Sequence, residues 1–286
     1  MRRRAFLAAA GTTALTGCSN GGGSTATPTS TATSTGTGSP NFELRGAEFP
    51  DTRSLNVPTV FAIGVENVGT GRGTFTSTLE TRTDDGEWRE ATTVEMSLAA
   101  GETGEWHSPR FVPQYLTTLH YRLDAFDETW SIEVTPRRLD FGNYYAVPNG
   151  LTLNVLGGSF ESSTAAVREG GTTNGTATNG TATNGTATTL PDGQSWAVMR
   201  LDVRNRLEEP VTTPAADEFV LEVGGESRPL HQEVTDDPYE STSLAGRTIT
   251  RGDLVYAVPE GTEPDDLTLR WGTSLPDGDV ESIWTK

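Results

Sequence analysis

Residues 119–124 read Leu-His-Tyr-Arg-Leu-Asp, so that Leu119, Tyr121 and Leu123 alternate with His120, Arg122 and Asp124. An apolar period of two marks an antiparallel strand with one face in a core and the other in water. The same period recurs on both sides of this stretch. Phe61, Ile63 and Val65 make one strand and Trp130, Ile132 and Val134 another, with Phe75 and Leu79 between them. Asn67–Gly73 (NVGTGRG) and Asp84–Gly86 supply turns, built from residues that accept the backbone angles turns require. No long run has helical spacing, and turn residues return about every ten positions. Residues 41–136 are therefore expected to form an immunoglobulin-like sandwich.

The pattern continues from Arg137. Leu151, Leu153 and Val155 form a strand, and Ala197, Met199, Leu201 and Val203 form the next, ending at Asn205. Phe219, Leu221 and Val223 precede the Gly224-Gly225 turn; Leu254, Tyr256 and Val258 run to Pro259; Leu267, Leu269 and Trp271 close the set. The expected fold class is all-β: two tandem immunoglobulin-like antiparallel β-sandwiches, at 41–136 and 137–286.

Two stretches fall outside this pattern. Residues 19–40 are almost entirely Ser, Thr, Gly, Ala and Pro, without charge or aromatic residue, and read as a disordered linker with about 25 Å of reach. Residues 164–192 form a second low-complexity stretch, expected as a disordered insert in the second sandwich. Its centre repeats Thr-Asn-Gly-Thr-Ala three times, at 173–177, 178–182 and 183–187. Each unit carries an N-x-S/T sequon, making Asn174, Asn179 and Asn184 candidate N-glycosylation sites on an exported chain. These stretches explain why only 34% of the 286 residues are apolar. With both set aside, 217 residues remain, enough for two ordinary sandwiches.

The start of the chain carries an address. Arg2, Arg3 and Arg4 precede an uncharged run from Ala5 to Leu15 that is shorter than the roughly 20 residues a membrane-spanning helix needs. Arg3, Arg4, Phe6 and Leu7 stand as R-R-x-F-L, which resembles the twin-arginine export signal, although Arg2 occupies the usual Ser or Thr position. Leu15-Thr16-Gly17-Cys18 resembles a prokaryotic lipobox. That resemblance implies a signal peptide over 1–17, a diacylglycerol on the Cys18 thiol, and a mature chain whose lipidated Cys18 and linker span 18–40. Two acyl chains bind a membrane strongly where one binds only marginally.

The charge completes the setting. Thirty-nine acids oppose 21 bases, giving −18, and removal of 1–17 takes three arginines and no acid, giving −21. Lys286 is the sole lysine. Dense carboxylates with almost no lysine resemble surface proteins of salt-loving archaea, whose high ionic strength screens self-repulsion. Such a balance argues against a nucleic-acid partner, since phosphate-binding surfaces need clustered Lys and Arg.

Two further resemblances carry the domain expectation. Val65-Glu66-Asn67-Val68-Gly69, Asp84-Asp85-Gly86, Leu98, Gly101, Trp106 and then Tyr121–Asp124 are similar in order to the cell-adhesion-related domain of bacterial and archaeal surface proteins. Val203-x-Asn205, Leu244 with Gly246, and Gly252–Pro259 (GDLVYAVP) resemble the telokin-like, immunoglobulin-like domain of unknown function found on prokaryotic lipoproteins. Neither resemblance implies a catalytic residue.

Chemistry is sparse in what remains. His107, His120 and His231 have no metal-ligand spacing, and the single cysteine is Cys18, so zinc, iron and blue-copper sites are not expected. No G-x-S-x-G elbow is present, and His107 and Ser108, adjacent in a strand, point to opposite faces. Carboxylates pair at Asp84-Asp85, Asp236-Asp237 and Asp265-Asp266, and Asp277-Gly278-Asp279 lacks a full calcium loop. Of the six tryptophans, Trp88 and Trp284 are the expected exceptions to core packing. The expectation is a non-enzymatic, lipid-anchored module of an archaeal cell surface, without cofactor, meeting the membrane through its lipid and an envelope protein or glycan through its loops. An envelope hydrolase using a carboxylate pair, or an accessory subunit of a transporter or sensor, are the alternatives.

Overall fold

The computed structural model describes residues 38–84, 86–126, 128–170 and 188–286. The chain forms β1 Phe42–Glu48, β2 Thr52–Ser54, β3 Ala62–Asn67, β4 Gly73–Thr83, β5 Arg89–Leu98, β6 Thr103–His107, β7 Thr118–Leu123 and β8 Thr129–Thr135. A three-stranded sheet, β1-β3-β6, faces a five-stranded sheet, β2-β8-β7-β4-β5. Pro136 alone separates β8 from the next strand. There follow β9 Arg137–Asp140, β10 Tyr144–Ala146, β11 Leu151–Glu161, the helix α1 Thr164–Gly170, β12 Gln194–Asn205, β13 Val211–Thr212, β14 Phe219–Val223, β15 Glu226–Arg228, β16 Ser243–Leu244, β17 Ile249–Pro259, β18 Leu267–Leu275 and β19 Gly278–Thr285. The sheets β10-β11-β12-β17 and β15-β14-β18-β19-β9 make a second sandwich, with β13-β16 a small ribbon beside it. The fold is all-β, two sandwiches in tandem.

The alternation that announced the strands is the alternation that fills the cores. Ile63, Val65, Phe75, Leu79, Leu123 and Ile132 are buried in the first, and Leu153, Leu201, Leu221, Leu269 and Trp284 in the second. Two edges depart from the expected antiparallel plan. Strand β2 lies parallel to β8, and β9 lies parallel to β19. In both cases the chain changes sheets early, so the entering strand lands beside the last strand of its sandwich rather than beside its sequence neighbour.

Both V-x-N motifs prove to be loop locks. Asn67, wholly buried at the end of β3, donates from Nδ2 to the carbonyls of Gly71 (2.8 Å) and Leu98 (3.1 Å). Its Oδ1 accepts from the N–H groups of Asn41 and Gly69, both at 3.1 Å. Asn205, at the end of β12, donates to Glu209 (2.7 Å) and Leu244 (3.0 Å) and accepts from Leu207 (2.9 Å).

The expected disordered insert is corrected at both margins. Residues 164–170 form α1, whose Val167 is buried with Trp196, Val234, Val255 and Ala257, and Leu190 packs against the same group. This satellite core lies on the outer side of the β11-β12-β17 sheet, so β17 is buried continuously from Gly252 to Val258 instead of alternating. The Thr164 hydroxyl donates to the Thr188 carbonyl (2.9 Å), clasping the two margins together.

The sandwiches share a junction. Leu55 and Val134 from the first pack into the core of the second. The Leu116 N–H donates to the Asp279 carbonyl (2.8 Å), and Asn56 Nδ2 donates to the Ala146 carbonyl (2.7 Å).

Candidate functional site

Strand lengths create the site. Strands β4 and β5 have 11 and 10 residues, while β3 and β6 opposite them have 6 and 5, so the β4–β5 hairpin overhangs the smaller sheet. Segment 108–113, stiffened by Pro109 and Pro113, crosses below the overhang. It is held by paired backbone hydrogen bonds between Thr59 and Phe111 (2.9 and 3.1 Å) and by Ser108 N–H to the Phe61 carbonyl (2.9 Å). The Ser108 hydroxyl accepts from Phe61 N–H at 3.0 Å. Between hairpin and segment lies a cleft of about 470 Å³, within the size range of small-molecule sites.

Its walls are apolar. Phe61, Leu79, Phe111, Val112, Leu119 and Tyr121 line it, and its polar lining residues are Arg82, Arg89, Glu87, Thr81, Thr83, Thr92 and Ser108. Behind the wall, Phe49 stacks on Phe61 (4.0 Å between centroids) and on Trp130 (4.9 Å), fixing Phe61 in place. The Tyr121 phenol is pushed above its ordinary range by burial, opposed by a hydrogen bond with Thr81. At the mouth Val112 remains 44% exposed, and neighbouring Val60 50%. The β4–β5 register runs Leu79 to Thr92 and then, after a bulge that leaves Ala91 unpaired, Thr81 to Arg89. Paired residues share a face, so the bulge puts Arg89 on the cleft side with Thr81.

The opposite face of the same hairpin carries Trp88. The guanidinium carbons of Arg82 and Arg122 lie 4.9 and 4.5 Å from its ring centroid. Arg122 Nε also donates to Glu80 at 2.5 Å, whereas Arg82 Nε is shielded from solvent without an acceptor among the described residues. Trp88 thus stays outside both cores, as expected, but Trp284 does not: it is fully buried, donating from Nε1 to the Asn143 carbonyl (2.9 Å). A position two residues from the end of the chain is core because β19 is an interior strand of its sheet.

The other sequence candidates fall into structural roles. Asp84 accepts from the Thr117 hydroxyl (2.7 Å) and the Thr118 N–H (3.0 Å), which hold its carboxyl below the usual range. Asp236 meets Arg168 (3.5 Å), Asp237 meets Arg200 (2.6 Å), and Asp265 meets Lys286 (3.1 Å). The Asp266 carboxylate accepts from Glu263 N–H (2.9 Å). Asp277 accepts from the Tyr115 hydroxyl (3.4 Å) and Asp279 from the Ser274 hydroxyl (2.5 Å). His107 is exposed beside Glu105 (3.1 Å), His120 is half-buried in β7, and His231 lies beside Glu233 (3.0 Å) and edge-on to Trp196. Among the described residues no three His, Cys, Asp or Glu side chains gather as a metal site. No helix among them is long and apolar enough to cross a membrane. Arg3, Arg4, Phe6, Leu7, Cys18, Asn174, Asn179 and Asn184 lie outside the described residues, as does Asp85.

Sequence reading missed one buried group. Asp253, on β17, is 2% exposed and receives Arg200 (3.2 Å) and the Thr235 hydroxyl (3.2 Å). Burial raises its carboxyl above the usual range, partly offset by Arg200.

No protein-family model matches the chain, and no curated protein matches it significantly in sequence. The two domain resemblances therefore rest on the motifs quoted for them. Among solved structures, ycdA of Bacillus subtilis, assigned as a lipoprotein, matches with a TM-score of 0.34 and 10% identity over 51% of this chain and 39% of its own. The yjhA protein of the same organism matches with a TM-score of 0.34 and 14% identity, over 51% of this chain and 97% of its own. An uncharacterised β-sandwich protein of Clostridium difficile gives 0.32 and 9%, over 53% and 94%. Likenesses this distant carry no functional argument. The fold and its cleft define the class: a two-sandwich all-β protein with an apolar recess in its first sandwich.

Proposed function

We propose that the chain is a lipid-anchored, non-enzymatic binding protein of an archaeal cell surface, exported by the twin-arginine route and tethered through Cys18. The observation that carries the binding role is the cleft. Its walls are apolar, and among the described residues Glu87 is the one carboxylate that lines it. Acid–base hydrolysis of a glycoside uses two facing carboxyl groups. Apolar walls with a few polar groups at the rim suit recognition instead. The anchor rests on the lipobox residues 15–18, the salt setting on the −18 charge, and the glycosylated surface on the three sequons. Crosslinking on intact cells from a photoreactive residue at Val112 tests the reading: a partner captured there and lost from a control at Leu207, equally exposed but on the second sandwich, supports a binding face, and no capture from Val112 refutes it. Mass spectrometry of the mature N-terminus tests the anchor, since an unmodified start other than Cys18 overturns it.

A further inference from the structure

The cleft's chemistry specifies more than a binding role, and this inference rests on that reading. Two candidate occupants are an extended peptide added to the β5 edge and a small amphiphile. The edge disfavours the first. Beside the cleft β5 is broken by the bulge at Ala91 and carries Arg89, Glu90 and Glu95, devices that prevent strand addition. The rim is rich in donors. The Ser108 hydroxyl already accepts from Phe61, which leaves its proton for a second group. Arg89, brought to the cleft side by the register, has neither a hydrogen-bond nor an ion-pair partner for its guanidinium among the described residues. Glu87, exposed just before β5, also lines the cleft, where it is outnumbered by Arg82 and Arg89.

We propose that the cleft binds a single-chain amphipathic carboxylate, its apolar body against Phe61, Leu79, Phe111 and Val112 and its head toward Arg89 and Ser108. The probes are dodecanoate, dodecan-1-ol and dodecylammonium, titrated calorimetrically into the full chain. Expected is one saturable site per chain, with dodecanoate preferred over dodecylammonium by about tenfold, the scale of one charge-assisted hydrogen bond. Arg89→Glu levels or reverses that preference. Val112→Glu removes binding of all three while the melting temperature stays unchanged, and if that variant unfolds, Val112→Lys replaces it. No saturable binding of dodecanoate, a preference for the cation, or undiminished binding by the folded Val112 variants overturns the proposal. A chain that ignores all three amphiphiles but still crosslinks from Val112 to an envelope partner refutes the carboxylate ligand and leaves the binding role standing.

Discussion

Replacing Asn67 by Leu removes a lock while keeping side-chain size. Four hydrogen bonds disappear, two donated to Gly71 and Leu98 and two accepted from Asn41 and Gly69. At about 1 kcal/mol net for each, the loss is about 4 kcal/mol, a large part of the 5–15 kcal/mol that typically separates folded from unfolded chains. The two sandwiches share a junction core within one compact unit, and a cooperative unit of about 150–250 residues shifts by about 2–4 °C per kcal/mol, so the melting temperature should fall by about 8–16 °C. Asn67→Asp should behave differently. It keeps an acceptor for Asn41 and Gly69 but turns a charged oxygen toward two carbonyls. Its deficit should therefore exceed that of Leu at neutral pH and shrink as the carboxyl protonates on acidification, recovering a donor. The assay is thermal melting followed by circular dichroism in high-salt buffer, with Asn205→Leu as the matching lesion in the second sandwich. An Asn67→Leu protein melting within about 2 °C of the wild type would refute the lock, because four buried bonds cannot vanish at so small a cost.

Asp253 gives a pH-dependent case. Its folded carboxyl is raised by burial, so its contribution to stability is full below the unfolded value of about 3.9 and is lost as pH rises through the raised one. Asp253→Asn should thus be neutral to stabilising at pH 7 in urea unfolding and lose that advantage under acid; clear destabilisation at pH 7 would show that Arg200 outweighs the burial cost. Gly252→Ala should cost about 1–3 kcal/mol or more, since a Cβ there would lie 2.3 Å from the Tyr239 backbone, and an unchanged urea midpoint would refute that close approach. Trp88→Ala should cost about 0.5–1 kcal/mol through its two guanidinium contacts, read by the same unfolding curve, with no effect as the contrary result. With a formal charge of −18, the melting temperature should climb as KCl is added, and a flat response would remove the salt-adapted reading.

Alternation made the strands legible because a half-buried strand leaves its burial period in its composition. The reading around Leu119–Asp124 works for that reason, and Asn67 and Asn205 were visible as motifs before their locking role was. It fails where burial is two-sided. Strand β17 is covered outside by the satellite core, and α1 carries Val167 as a buried anchor, too little pattern to distinguish seven residues from the low-complexity stretch they begin. The cleft was invisible for another reason. It arises from a difference in strand lengths and from a bulge that turns Arg89 inward, and its walls come from residues spread between 61 and 121. Trp284 was misread because nearness to the chain end says nothing of whether β19 is an edge.

The Thr164–Thr188 clasp has an evolutionary corollary. It holds Thr164 and Thr188, which bracket the Thr-Asn-Gly-Thr-Ala array in the sequence, at neighbouring points on the second sandwich, so array length is uncoupled from the fold. Closing a loop of twice the length costs only about 0.6 kcal/mol more. Replication slippage can therefore add or delete five-residue units, and with each unit one glycan acceptor, while the sandwich beneath is nearly untouched. Under the proposed glycosylation, the array would be a dial for surface sugar density that selection can turn one notch at a time.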